Sequence, residues 1–194
     1  RRAVVYKING LSFREYLEIN SGQEYKTYEL SDLLTNANEI THNILTKLES
    51  SGGPNQKILP VFKNYLKMGY YPYSLEFKNI ETYLMTLEQN LSTTIESDLV
   101  SIYPVITGHS VRKMKQLLAF IASEVPFVLS LEKLKRMLDI GDIRTLKSYL
   151  KYLSDAGLIS LLPKASNKIS KIETPEKIYL HNPNQLYAIS ASTP

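Results

Sequence analysis

The stretch from Ser130 to Leu162, SLEKLKRMLDIGDIRTLKSYLKYLSDAGLISLL, constrains the fold more than any other part of the chain. Ser130 suits a helix N-cap, because its hydroxyl accepts a hydrogen bond from a free backbone N–H of the first turn. Leu129 and Leu134 stand at the spacing of a hydrophobic staple. Leu131, Leu134 and Leu138 share one helical face, and Lys133, Lys135 and Arg136 occupy the others. Gly141 breaks the pattern and Asp142 suits the cap of a second helix. There Ile143, Leu146, Leu150 and Leu153 recur at helical spacing and define one buried stripe. Gly157 fits the left-handed position that closes such a helix. Leu158 to Leu162 is a short apolar strand stopped by Pro163, and Glu176 to Leu180 is a second strand. The polar connection between them, ASNKISKIETP, fits a wing. These signals together predict a winged helix-turn-helix with a small β wing.

The face opposite the stripe carries Arg144, Thr145, Lys147, Ser148 and Lys151. Between Ser110 and Leu180 there are thirteen Lys and Arg against seven Asp and Glu, whereas the chain as a whole carries only +4. The positive charge is concentrated where a nucleic-acid reader needs it, since Lys and Arg contacts to phosphate supply most non-specific affinity. Recognition helices of this type place their N-terminal half in the major groove. Arg144 has the fork to address a guanine edge, while Lys147 and Lys151 suit phosphate, as do Lys164, Lys168 and Lys171 of the wing. The expected partner is double-stranded DNA. A second reading stands beside it: a Lys-rich face is also an ordinary solvated face, and a winged helix can dock protein or act as a spacer without meeting DNA.

The rest of the chain is expected to be helical, which makes the fold class mainly α, a helical region followed by the winged helix. Glu29 to Leu48, Ile58 to Met68, Ile80 to Ile102 and Val111 to Val125 each carry apolar residues at helical spacing. SSGGPNQ, residues 50–56, is an expected exposed loop. Met114, Leu117, Leu118 and Ile121 are expected to pack beneath the helix-turn-helix. Gly69 ends one helix, and Tyr70, Tyr71 and Tyr73 follow in an aromatic turn. Such a turn can stack on bases, but it suits the packing of a helix junction or domain interface better. Asn182 and Pro183 open a last helix as cap and first residue. The expected division is 1–109 and 110–194.

Composition restricts the chemistry. The chain has no Cys, which excludes disulfides and thiolate metal sites. None of His42, His109 and His181 has a second ligand at i+3 or i+4, so a histidine-rich metal site is not expected. No nucleophile elbow is present, and Glu96 and Asp98 project from different helix faces. No apolar run approaches the ~18 residues of a membrane span. A cytoplasmic protein is expected, with no membrane partner.

At the N-terminus, Ala3 to Ile8 is strand-like and Asn9-Gly10 makes a turn. Ser12 and Glu15 then have capping-box spacing, with Leu11 and Tyr16 placed as a staple. A lone strand has no sheet to join, so the chain, which begins at Arg1 without Met, is expected to be a piece of something longer. RRAVVYKINGLSFREYL resembles the end of the nucleotide-binding core in a family of prokaryotic AAA-type ATPases. ILPVFKNYLKMGYYPY is similar to that family's lid-side helix and Gly-Tyr-Tyr-Pro turn, and Ser130 to Tyr187, including KIYLHNPNQLYAI, to the winged helix that follows. The resemblance implies a parent with a phosphate-binding loop and an acidic Mg²⁺ motif before Arg1 and a nuclease-like domain after Pro194. ATP and Mg²⁺ would belong to that parent, and the parent's core and C-terminal domain would be partners. No G-x-x-x-x-G-K-[ST] run occurs in these 194 residues. The segment itself is therefore expected to hold no cofactor, to be inactive alone, and to act as a regulatory piece.

Overall fold

The structure is a computed structural model that describes residues 4, 6, 8–52, 57–124, 127–128, 130–163 and 175–191. It is mainly helical with a small antiparallel sheet. The chain divides into two compact units, residues 1–80 and 81–194. The sequence had suggested 109/110, which places the helix beginning at Ile80 in the first part; nearly all of that helix lies in the second unit.

In the first unit, α1 (Phe13–Ser21) opens with a reciprocal capping box. The Glu15 N–H donates to Ser12 Oγ, and the Ser12 N–H donates to the Glu15 carboxylate at 2.8 Å. Ser12 Oγ–H also donates to that carboxylate at 2.7 Å, and this bond first, with the one from the Ser12 N–H, holds the Glu15 carboxyl below its ordinary range. α2 runs Leu30–Gly52 and α3 Ile58–Met68. Leu17, Tyr25 and Leu48 form the core, with Phe13, Ile44, Ile58 and Val61 packed against it. Phe13 meets Phe62 edge-on at 5.0 Å, and Tyr65 donates to the Leu11 carbonyl at 2.8 Å. A 3₁₀ turn, Pro72–Glu76, follows Gly69.

α2 forms where the helical spacing predicted a helix, but the burial that spacing implied holds only in part. Ile40 and Leu48 are buried, whereas Leu30 and Leu34 are 71% and 78% exposed. The helix kinks at Asn36, where φ is −126° and ψ 26°. Of the expected loop at 50–56, residues 50–52 belong to α2, and residues 53–56 lie outside the described residues. Of the strand-like run at the start, Val4, Tyr6 and Ile8 are exposed and in no strand, and Ala3, Val5 and Lys7 are outside the described residues.

In the second unit, α4 (Ile80–Thr93) passes through a π turn, Thr94–Asp98, into α5 (Leu99–Ile102). Leu87, Leu91, Ile95 and Leu99 stay on one buried stripe through the turn. Tyr83 is also fully buried, and its hydroxyl donates to Asn184 Oδ1 at 2.9 Å. α6 (Gly108–Ser123) is capped by Thr107 and so begins three residues ahead of the expected Val111. Met114, Leu117, Leu118 and Ile121 of α6 are buried.

β1 (Phe127–Val128), α7 (Leu131–Met137), α8 (Ile143–Asp155), β2 (Ile159–Pro163), β3 (Pro175–Leu180) and α9 (Pro183–Ala191) complete the chain. β3 lies between β1 and β2, antiparallel to both, with Ile178 opposite Phe127 on one side and Leu161 on the other. Asn182 caps α9 by accepting from the Gln185 N–H. The whole of 164–174, and so most of the expected wing, lies outside the described residues, as does Leu129 of the expected staple.

Candidate nucleic-acid interface

The orientation of α8 is set by its two ends and its buried stripe. Asp142 caps the start by accepting from the Arg144 N–H at 3.2 Å. The turn before it is closed by Asp139 at φ 48°, in the left-handed region that Asp tolerates better than most residues. The sequence had assigned that break to Gly141. Lys113 of α6 donates to the Leu138 carbonyl at 2.6 Å and so satisfies an end of α7 that the turn leaves free. Leu146, Tyr149, Leu150 and Leu153 form the inward face. Tyr149 reaches Ser110 of α6 at 3.1 Å. At the far end Gly157 takes φ 67°, and the Leu158 N–H returns to the Leu153 carbonyl at 2.9 Å.

That burial leaves Arg144, Ser148, Lys151 and Asp155 as an outward ridge. Arg144, Lys151 and Asp155 are exposed, and Ser148 is half-buried with its hydroxyl donating to the Arg144 carbonyl at 3.1 Å. Lys147 and Thr145 flank the ridge, both half-buried. On the strand side a cleft is lined by Lys147, Leu150, Ser154, Leu161 and Pro175. On the other side Thr145, Ser148 and Tyr152 line a groove with Ser110 and Ile106. The five residues picked out on this helix therefore occupy one continuous surface. Lys164, Lys168 and Lys171 lie outside the described residues.

Sequence reasoning missed the partners of Lys151. Its ammonium lies 2.5 Å from Asp155 Oδ2, and the Tyr103 hydroxyl donates to the same oxygen at 2.8 Å. The Tyr103 and Tyr152 rings pack at a centroid distance of 4.4 Å beside them. The hydrogen bond from Lys151 holds the Asp155 carboxyl below its ordinary range, and the same bond raises the Lys151 ammonium. Accepting by Asp155 also raises the Tyr103 phenol. The i,i+4 spacing of Lys151 and Asp155 was a visible signal; the approach of Tyr103, from beyond α5, was not.

Tyr70, Tyr71 and Tyr73 belong to the other unit. Tyr70 and Tyr71 meet edge-on at 5.1 Å, and Tyr71 and Tyr73 stack at 5.5 Å. The Leu11 N–H donates to the Tyr70 carbonyl at 2.8 Å, and a Cβ on Gly10 would come within 2.4 Å of the Tyr70 ring. This close approach requires glycine at position 10. Among the described residues no group of three or more His, Asp or Glu is placed to hold a metal ion, and no helix is long and apolar enough to cross a membrane.

Residues 59–191, from α3 to the end of α9, match a family described as a domain of unknown function (DUF8612), and the chain belongs to that family. No curated protein and no solved structure matches the chain.

Proposed function

We propose that the second unit is a winged helix that binds double-stranded DNA through α8, and that the chain is a regulatory, non-catalytic segment of an AAA-type ATPase. The order α6, β1, α7, α8, β2, β3 with β3 central in the sheet supports the winged-helix assignment. The observation that carries the DNA reading is the outward surface of α8, where Arg144, Thr145, Lys147 and Ser148 stand together at the N-terminal half of a helix whose opposite face is buried. A recognition helix presents that half to base edges. Arg144 has the bidentate geometry for guanine, Thr145 and Ser148 offer hydroxyls to bases or phosphate, and Lys147 reaches phosphate from the strand side. The reading also takes Lys164, Lys168 and Lys171, the lysines expected of the wing from the sequence, as phosphate contacts. The ATPase assignment rests on the resemblance of the LSFREYL, GYYP and KIYLHNPNQLYAI stretches. On that reading ATP and Mg²⁺ belong to the parent's core, the core and a C-terminal domain are the protein partners, and the protein works in the cytoplasm.

A second reading is a docking or spacer module that joins the ATPase core to the C-terminal domain without touching DNA. Ile102 and Val105, 66% and 72% exposed at the end of α5 and just beyond, favour it, because neighbouring exposed aliphatics suit a protein contact. Fluorescence anisotropy of a labelled random duplex, titrated with the full chain at two salt concentrations, separates the two. The DNA reading expects binding with a log–log salt slope near −3.6, for about four phosphate contacts. Absence of binding at the lower salt leaves the docking reading.

A further inference from the structure

Asp155 is in the wrong place for helix stability. It is the last residue of α8, where the helix dipole disfavours a carboxylate. The order of its pair, Lys before Asp, is also the weaker orientation for an i,i+4 contact. Yet Asp155 is held from two directions, by Lys151 on its own helix and by Tyr103 from beyond α5. It lies at the C-terminal end of the ridge that begins at Arg144, so a negative charge closes off an otherwise cationic surface.

We propose that Asp155 is a specificity-determining residue for the DNA contact: it holds Lys151 away from the phosphate backbone and confines strong contact to the N-terminal half of α8. The inference rests on the DNA reading of this helix. Phosphate contacts raise affinity for every sequence alike, whereas base contacts discriminate. Countering Lys151 removes one sequence-blind contact and adds repulsion between Asp155 and phosphate. What remains depends more on Arg144, Thr145 and Ser148, the side chains placed to meet base edges. The pair is solvent-exposed, with side chains 66% and 41% accessible, so it is screened and its effect is a few-fold change in affinity rather than an on–off switch.

Asp155→Asn tests this while keeping the Tyr103 contact, because the amide oxygen still accepts from the phenol. With the full chain and a random 20-mer duplex, the variant is expected to bind about three- to tenfold more tightly at low salt. Its salt slope should steepen by about 0.9, the value of one added phosphate contact. Lys151→Ala should change affinity less than about twofold in the wild-type background and erase the gain in the Asp155→Asn background. Wild-type binding with no tightening in Asp155→Asn overturns the inference and leaves the DNA reading standing. Equal losses from Lys151→Ala in both backgrounds do the same. If neither wild type nor Asp155→Asn binds duplex at the lowest salt, the DNA reading falls and the inference falls with it.

Discussion

Reversing Arg144 and Lys147 together to Glu is expected to weaken binding of a random duplex by about a hundredfold or more at low salt, each exchange removing a phosphate or base contact and adding repulsion. The fold is expected to stay intact, with melting shifted by less than about 3 °C, since surface substitutions away from the core rarely exceed ~0.5 kcal/mol. Arg144 is exposed and lies in the first turn of α8, where a carboxylate suits the helix dipole, so lost binding cannot be assigned to an unwound helix. Lys147 lies against the cleft formed with Leu150 and Pro175, and its aliphatic stem is the part that Glu replaces least well. Equilibrium titration beside thermal melting reads both quantities. A double variant that binds like the wild type removes α8 from the DNA contact.

The second large effect is on stability. Leu153→Ala is expected to cost about 2–5 kcal/mol, the range for emptying a packed leucine site, because Leu153 is fully buried on the inner stripe of α8. Its position also joins two elements. Its carbonyl accepts from the Leu158 N–H at the left-handed turn that launches β2, so a slackened stripe loosens the strand as well as the helix. Urea denaturation should show a lower midpoint at an unchanged slope. A loss under about 1 kcal/mol would mean that the stripe is not the core of this unit. The contrast with Arg144 and Lys147, on the opposite face of the same helix, separates binding from folding.

The parts of the fold legible in the sequence were those determined locally. The Ser12–Glu15 box, the Ser130 and Asp142 caps and the left-handed Gly157 each depend on residues within a few positions of one another, and each is present. The α8 stripe was legible for the same reason, since its period is written into consecutive turns. Long-range pairing was not legible. Tyr83 is the deeply buried aromatic of α4 because Asn184, about a hundred residues onward, receives its hydroxyl; an aliphatic period points to Leu84 beside it. Helical spacing likewise predicted α2 but not that Leu30 and Leu34 stay exposed, since period reports which residues share a face and not whether anything covers it.

The candidate surface divides along the same line. Arg144, Thr145, Lys147, Ser148 and Lys151 were found as a face because one helix carries them all. The countercharge on Lys151 changes what that face offers, and half of its setting, Tyr103, comes from elsewhere in the chain. A count of cationic side chains therefore overstates the strength of the surface, whereas their distribution along α8 places the usable charge at its N-terminal half.

The most direct test is an NMR titration of the ¹⁵N-labelled full chain with a short random duplex at low salt, followed residue by residue. DNA binding through α8 predicts the largest amide shift changes over Ile143 to Ser148, weaker ones from Lys151 to Asp155, and their disappearance as salt is raised. Shift changes confined to the region of Ile102 to Val105, or none at all with duplex in excess, would contradict it.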